Sequence, residues 1–282
     1  MPVHVIERMM AAFEQPGANI HTPYGATESL PIASISGREV LDETAVRSQS
    51  GAGTCVGHLF PHVRVRIIEI TEGPIATISE TRELSAGDIG EIVVQAPSTT
   101  REYFRLPEAT TAAKIADGRP QQVTDVEDRS HDCPPPPALR PPPFWHRMGD
   151  VGWMDESGRL WFCGRKAHIV EANGHRMFTI PCEAIFNAHG RVFRSALVGV
   201  GPTPTQRPVI VVEPEPAAFP ETESDQRTFR AELLELGRAN PLTENIATVL
   251  FHRSLPVDIR HNVKIFREKL GPWAEQQLTS SE

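Results

Sequence analysis

Apolar positions near the N-terminus recur at helical spacing. Val5, Met9 and Ala12 fall on one face, with Ile6, Met10 and Phe13 beside them. The pattern predicts a helix over residues 3–14, ended by Pro16-Gly17. Asn19 to Thr22 reads as a short extended piece leading into Tyr24-Gly25-Ala26-Thr27-Glu28, and an apolar run, Leu30-Pro31-Ile32-Ala33, follows. From His62 to Ile70 the period changes to two: Val63, Val65 and Ile67 point one way, Arg64 and Arg66 the other. Gly90 to Gln95 is a second expected strand, entered through Ala86-Gly87-Asp88, and Leu160 to Cys163 a third, entered through Asp155-Glu156-Ser157-Gly158. This middle section reads as a small β-rich unit.

The pattern changes again from about residue 166. Pro181 to His189 predicts a short helix, Ser195 to Val200 and Pro208 to Val212 buried strands, and Ile246 to Phe251 a further strand. Ser224 or Asp225 is the expected cap of a helix with Phe229, Leu233 and Leu236 on one face. A last helix is expected to start at Lys264–Leu270 and to be interrupted by Gly271-Pro272. That order describes a compact α+β domain on one antiparallel or mixed sheet.

Two stretches break the regular pattern. Asp117 to Pro143 holds two proline runs, 134–137 and 141–143, which neither pair in a sheet nor sustain a helix. It reads as a solvated, polyproline-II-like insertion, with a ligand for an SH3-like partner as the alternative. His131, Asp132 and Cys133 within it are adjacent and lack metal-ligand spacing. Ser50 to Gly57 is glycine-rich but lacks the Lys-Ser/Thr pair of a phosphate loop, so it reads as a linker into a new subdomain.

Composition narrows the function classes. The chain has 282 residues, 39% hydrophobic and 23% charged, with a formal net charge of −8. That balance does not favour nucleic acid or an anionic membrane as partner. No run is long and apolar enough for a transmembrane helix, and residues 1–4 do not open a signal-peptide layout. Cys55, Cys133, Cys163 and Cys182 form no C-x-x-C pair, which fits a reducing cytoplasm.

The candidate chemistry sits at Tyr24–Glu28. A ring can cover a base, a glycine lets backbone come close, a hydroxyl can donate to a phosphate oxygen and a carboxylate can hold magnesium. A helix, a short strand and such a cluster are the parts an α/β domain uses for binding. A parallel sheet needs several such units, and one is present, so the chain is expected to begin partway through a domain. Asp150 and Arg165 lie beside glycines at expected strand ends, which marks a ligand-facing rim.

The order of motifs resembles the adenylate-forming superfamily of acyl-CoA synthetases, peptide-synthetase adenylation domains and luciferases. The motifs are Y-G-A-T-E at 24–28, G-E-I-V-V at 90–94, H-R-M-G-D at 146–150, L-W-F-C-G-R at 160–165 and N-V-K-I-F-R at 262–267. T-P-Y-G-A-T-E, F-W-H-R-M-G-D-V-G, W-F-C-G-R-K, P-C-E-A-I-F-N and residues 256–262 are similar, more narrowly, to the β-lactone synthetases of olefin biosynthesis. The match covers the C-terminal half of that family. The loop ending in Pro-Lys-Gly that grips ATP phosphates is not in this sequence. The chain alone is therefore expected to have little adenylating activity.

The resemblance implies an α/β plus α+β chain: the tail of a large N-terminal domain, a small β-rich subdomain and a compact, mobile C-terminal domain. Residues 1–165 would be the C-terminal part of an AMP-binding domain, with the β-rich subdomain at about 50–165 and the insertion at 117–143. Residues 166–282 would be the lid. ATP and magnesium would be required, and the substrate would be a fatty β-hydroxy acid or fatty acid. Other enzymes of an olefin-biosynthesis complex are the implied partners. Tyr24 would stack on adenine beside Gly25, Thr27 would bind the α-phosphate and Glu28 magnesium. Asp150 would accept from the ribose hydroxyls, Arg165 would contact ribose or phosphate, and Lys264 would bridge carboxylate and phosphate. Arg176, in Gly174-His175-Arg176, matches a phosphate-contacting Gly-x-Arg of some members. The sequence departs from the family at Ala96, where glycine is usual, at Ala167, where the hinge is usually Asp or Lys, and at Asn262-Val263.

Overall fold

The computed structural model describes residues 3–15, 17–118, 143–258 and 264–279. Most of the proline-rich insertion, with His131, Asp132 and Cys133, lies outside the described residues, as does Asn262-Val263. The chain divides into two compact units. One comprises Met1–Ala45 and Cys55–Phe162, the other Val46–Thr54 and Cys163–Glu282.

The first unit opens with α1 (Val3–Ala11), shorter than the apolar stripe predicts. Two strands, β1 (His21–Ala26) and β2 (Ser29–Ser36), form an antiparallel hairpin turned at Thr27-Glu28. The binding cluster therefore occupies a strand and its turn, not the C-terminal end of a parallel strand. The alternation reaches Tyr24 and Ala26, which pack against the core formed by Ile32, Ile67, Ile92, Val94, Met148 and Leu160. The hairpin joins one sheet with β3 (Thr54–Leu59), β4 (Arg64–Ile68), β5 (Gly90–Gln95), β6 (Lys114–Ala116), β7 (Phe144–Met154) and β8 (Arg159–Arg165). The strand order is β1-β2-β3-β8-β7-β5-β4, with β6 pairing β7. Ser50–Ala52 close a helical turn and Thr54 begins β3, where the sequence predicted a linker. A short helix, α2 (Pro107–Ala113), leads into β6.

The second unit matches the α+β pattern. Strands β9 (Val170–Ala172) and β10 (His175–Met177) form a hairpin. Asn173 and Gly174 supply its turn with φ of 52° and 79°, the conformation that Asn-Gly favours in tight hairpins. Helix α3 (Thr179–Asn187) precedes β11 (Val192–Val200) and β12 (Arg207–Pro214), which pair antiparallel. Helix α4 (Glu223–Arg238) crosses to β13 (Thr248–Phe251), which pairs parallel to β12, so the sheet is mixed. The α4 cap is Thr222, whose hydroxyl accepts from Asp225 N–H at 3.2 Å; Ser224 and Asp225 lie within the helix. Helix α5 (Arg267–Thr279) runs through Gly271-Pro272 without interruption and starts three residues after Lys264. Pro272 is the sixth residue of the helix, beyond its first turn, and Leu270 and Ala274 on either side of it are buried in the core. The core packs Phe186, Leu197, Ile210, Val212, Phe229 and Leu233 on one sheet face. Val198, Val209, Val211, Leu270 and Ala274 pack on the other.

Candidate functional site

The first unit holds five of the residues singled out above. Tyr24 Oη donates to Asp150 Oδ2 at 2.6 Å, joining the β1 hairpin to β7. Phe162 of β8 lies tilted beside the Tyr24 ring, with centroids 6.0 Å apart. Asp150 is buried, and the hydrogen bond holds its carboxylate on the face where Met148 packs with Tyr24. Gly25 is required by space. A Cβ there would lie 2.6 Å from the Ser29 carbonyl oxygen and 2.8 Å from Leu30 Cδ1. The β1–β2 register shifts at this point, between Tyr24 and Ala26. Thr27 stands exposed in the hairpin turn.

Glu28 is partly buried beside it. Tyr103 Oη donates to Glu28 Oε1 at 2.9 Å, and the Thr100 N–H donates to the Glu28 carbonyl at 2.7 Å. The hairpin turn is thus tied to the loop after β5, where Ser29 and Thr99 hydroxyls also meet at 2.9 Å. Burial alone would raise the Glu28 pKa. Its own backbone N–H, the Tyr103 hydroxyl and the His146 and Lys114 side chains outweigh burial and lower it. Burial and the Glu28 carboxylate in turn push the Tyr103 phenol up to about 12. An ionised carboxylate of this kind fits magnesium, which is commonly held by one or two carboxylates together with substrate phosphates. Among the described residues no group of three or more His, Cys, Asp or Glu side chains could hold a metal alone.

His146 and Arg147 anchor β7 to its surroundings. Burial, and then the charge of Lys114, lowers the His146 pKa to about 4, so its ring is neutral near pH 7 and Nδ1–H donates to the Ala113 carbonyl at 3.2 Å. Arg147 makes a bidentate pair with Glu91, at 2.7 and 2.8 Å, and donates to the Thr71 carbonyl at 2.9 Å. These groups fix the strand that carries Asp150. Tyr103, Lys114 and His146 were missed as site residues. A lysine inside Ala112-Ala113-Lys114-Ile115-Ala116 was the available signal, since a charged residue is unexpected in so apolar a run.

The remaining predicted residues belong to the second unit. Arg165 ends β8 and is exposed, and Lys264 is exposed just before α5. Burial first, then the charges of Arg267, Arg165 and Lys264, lowers the His168 pKa against the opposing pull of Glu268. Arg165 and Lys264 thus act on one imidazole within this unit, a cationic neighbourhood suited to an anion. The segment of Lys264 is held on both sides. The Asp258 N–H donates to the Lys264 carbonyl at 2.9 Å, and Val257 bridges Ile265 antiparallel. Arg267 Nη2 then donates to Glu183 Oε1 at 2.5 Å. Arg176 faces Glu171 across the β9–β10 ladder, with Nε to Oε1 at 3.0 Å. In this structure Arg176 makes a cross-strand surface pair.

No family model matches the chain. It is 44% identical over 281 residues to an olefin β-lactone synthetase of Xanthomonas campestris pv. campestris, covering 98% of this chain and 46% of that protein. To an olefin β-lactone synthetase of Stenotrophomonas maltophilia it is 42% identical, covering 93% of this chain and 43% of that one. Among solved structures, an amide bond synthetase from Marinactinospora thermotolerans superposes with a TM-score of 0.65 at 25% identity, over 96% of this chain and 44% of that one. The chain therefore spans less than half the length of these curated relatives.

Proposed function

The chain belongs to the adenylate-forming superfamily, whose ligases it matches over their C-terminal half, and from that premise we propose that it supplies part of the active site of a β-lactone-forming enzyme. The substrates are ATP and a fatty β-hydroxy carboxylic acid. A carboxylate oxygen attacks the α-phosphorus, the bond to the leaving pyrophosphate breaks, and an acyl adenylate forms. The β-hydroxyl then attacks the acyl carbon, loses its proton and expels AMP, closing the four-membered lactone. The second step is intramolecular, so orientation contributes more than a new binding site.

The observation that carries this reading is the 2.6 Å hydrogen bond between Tyr24 and Asp150. It joins the Tyr24 ring to the Asp150 carboxylate; in this reading the ring lies against the base and the carboxylate accepts from the ribose hydroxyls. Thr27 donates to the α-phosphate in this reading, and Glu28 holds magnesium. Magnesium, when bound, offsets the negative charge of the phosphates. Arg165, Arg176 and Lys264 supply cations from the second unit, where charge builds during carboxylate attack. Residues 1–165 act as part of an AMP-binding domain and 166–282 as its lid. Among the described residues no helix is long and apolar enough to cross a membrane. In this reading the enzyme is cytoplasmic and works beside others of olefin biosynthesis.

Product analysis tests the proposal. The chain is joined to the N-terminal half of a full-length β-lactone synthetase and incubated with ATP, magnesium and a long-chain β-hydroxy acid, with and without CoA, and the chain alone is the control expected to turn over little ATP. β-Lactone and AMP formed by the joined protein without CoA are the expected products. A thioester formed only with CoA would instead make it an acyl-CoA ligase, and robust pyrophosphate release by the chain alone would contradict its being only part of the active site.

A further inference from the structure

Lys114 has no part in the roles assigned above, yet the ladder sets it on the face that carries them. It pairs directly with His146 across β6 and β7, and the next pair is Ile115 with Trp145. Ile115 and Trp145 are buried with Ile68 and Val93 on the opposite face. Side chains alternate along a strand, so Lys114 shares the face of His146. Further along β7, Met148 packs with Tyr24, and Asp150 accepts the Tyr24 hydroxyl. The Lys114 ammonium donates to the Thr100 carbonyl, and the Thr100 N–H donates to the carbonyl of Glu28. Lys114 and the Glu28 carboxylate also feel each other's charge.

What Lys114 lacks is a direct ion pair. Among the described residues its ammonium makes no salt bridge, and the carboxylate whose charge reaches it is Glu28. One of its three N–H donors goes to Thr100, and the Phe144 ring lies 5.0 Å away. Burial, opposed by Glu28, lowers its pKa to about 8. A half-buried cation without a direct ion pair carries a desolvation cost that a bound anion offsets.

We propose that Lys114 is a phosphate-binding residue, whose ammonium holds the outer phosphates of a nucleoside triphosphate beside the Glu28 carboxylate. This rests on the nucleotide reading of Tyr24 and Asp150. On that reading a triphosphate runs from Asp150 towards Glu28, and its outer oxygens need a cation on that side. Lys114 is then a fourth lysine or arginine source of charge, distinct from the second unit's Arg165, Arg176 and Lys264. It is also fixed to the same sheet as the nucleoside contacts.

Calorimetric titration of the full chain with magnesium-ATP and with AMP tests this. Lys114→Met is expected to weaken magnesium-ATP about tenfold, the scale of one charge-assisted hydrogen bond, while AMP affinity stays within about twofold. Lys114→Arg is expected to retain magnesium-ATP affinity. AMP binding by each variant doubles as the check that the site is folded. Unchanged magnesium-ATP affinity in Lys114→Met overturns the assignment, and so does an equal loss for both nucleotides. A wild-type chain that binds neither nucleotide overturns the nucleotide reading itself.

Discussion

Glu28 and Glu183 are two carboxylates on which burial and surroundings pull in the same two opposed directions, with opposite outcomes. For both, desolvation is the largest influence and raises the pKa. At Glu28 the backbone, the Tyr103 hydroxyl and the His146 and Lys114 side chains outweigh it, so the net shift is down. At Glu183 they do not, and burial pushes the pKa up despite Arg267 and the Leu197 N–H, which donates at 2.9 Å. The difference lies in what each carboxylate is for. Glu183, at 5% exposure, is spent inside the second unit on holding α3, β11 and the start of α5 together. Glu28 stands in a hairpin turn, part-exposed and ionised, available to something that is not protein.

Substitutions in the second unit should therefore cost folding, and substitutions at Glu28 should cost binding. The largest effect is expected for Glu183→Gln, which leaves Arg267 facing a neutral group in a buried site. Breaking such a pair costs about 3–5 kcal/mol, read as a fall in unfolding free energy in urea. No change in the urea midpoint would remove the structural half of the comparison.

The next effect is a pH dependence in the first unit. His146 has a pKa of about 4 in the fold, against the ordinary value of 6.5. Between those values the unfolded chain binds a proton that the folded chain does not, so stability rises with pH across that window. The expected rise is on the order of 3 kcal/mol, and His146→Gln should flatten it. An unaltered slope in the variant would show that His146 is not the group responsible.

Glu28→Gln is expected to change stability by less than about 1 kcal/mol, the scale of one part-exposed hydrogen bond, while weakening magnesium-dependent ATP binding. A large destabilisation would put Glu28 in the same class as Glu183. The smallest effect belongs to Arg176→Ala. Its partner Glu171 is part-exposed and Arg176 itself is 45% exposed, so the pair is worth under about 1 kcal/mol. A thermal melt that drops sharply would show the β9–β10 hairpin to be more than a local ladder.

Much of the second unit could be anticipated from its sequence, because its strands are continuous apolar runs and its long helix has a clear stripe. Local chemistry misled in two places. Ser224 and Asp225 are good capping residues, but Thr222 reaches the N–H groups first. Gly271-Pro272 looks like a break, yet the helix runs through it, with Leu270 and Ala274 on either side packed into the core. In the first unit Tyr24, Glu28 and Asp150 stood out as candidates in the sequence, while Tyr103, Lys114, His146 and the connections among them did not. Tyr24 and Asp150 are 126 positions apart, and no local pattern announces a hydrogen bond between them. The hairpin turn at Thr27-Glu28 was hidden because Leu30-Pro31-Ile32-Ala33 reads as an apolar run and Gly25 as a binding glycine, not as one side of an irregular ladder. Lys114 and His146 became visible as neighbours only through the β6–β7 register.

The central claim is that the Tyr24–Asp150 pair is the nucleoside-binding wall of this chain. Calorimetric titration of AMP into the wild type and Asp150→Ala tests it most directly, with a thermal melt of each as the folding check. The expected result is measurable binding by the wild type and at least about tenfold weaker binding by a folded Asp150→Ala, the scale of lost hydrogen bonds to a charged group. Equal AMP affinity in the two proteins would contradict the account.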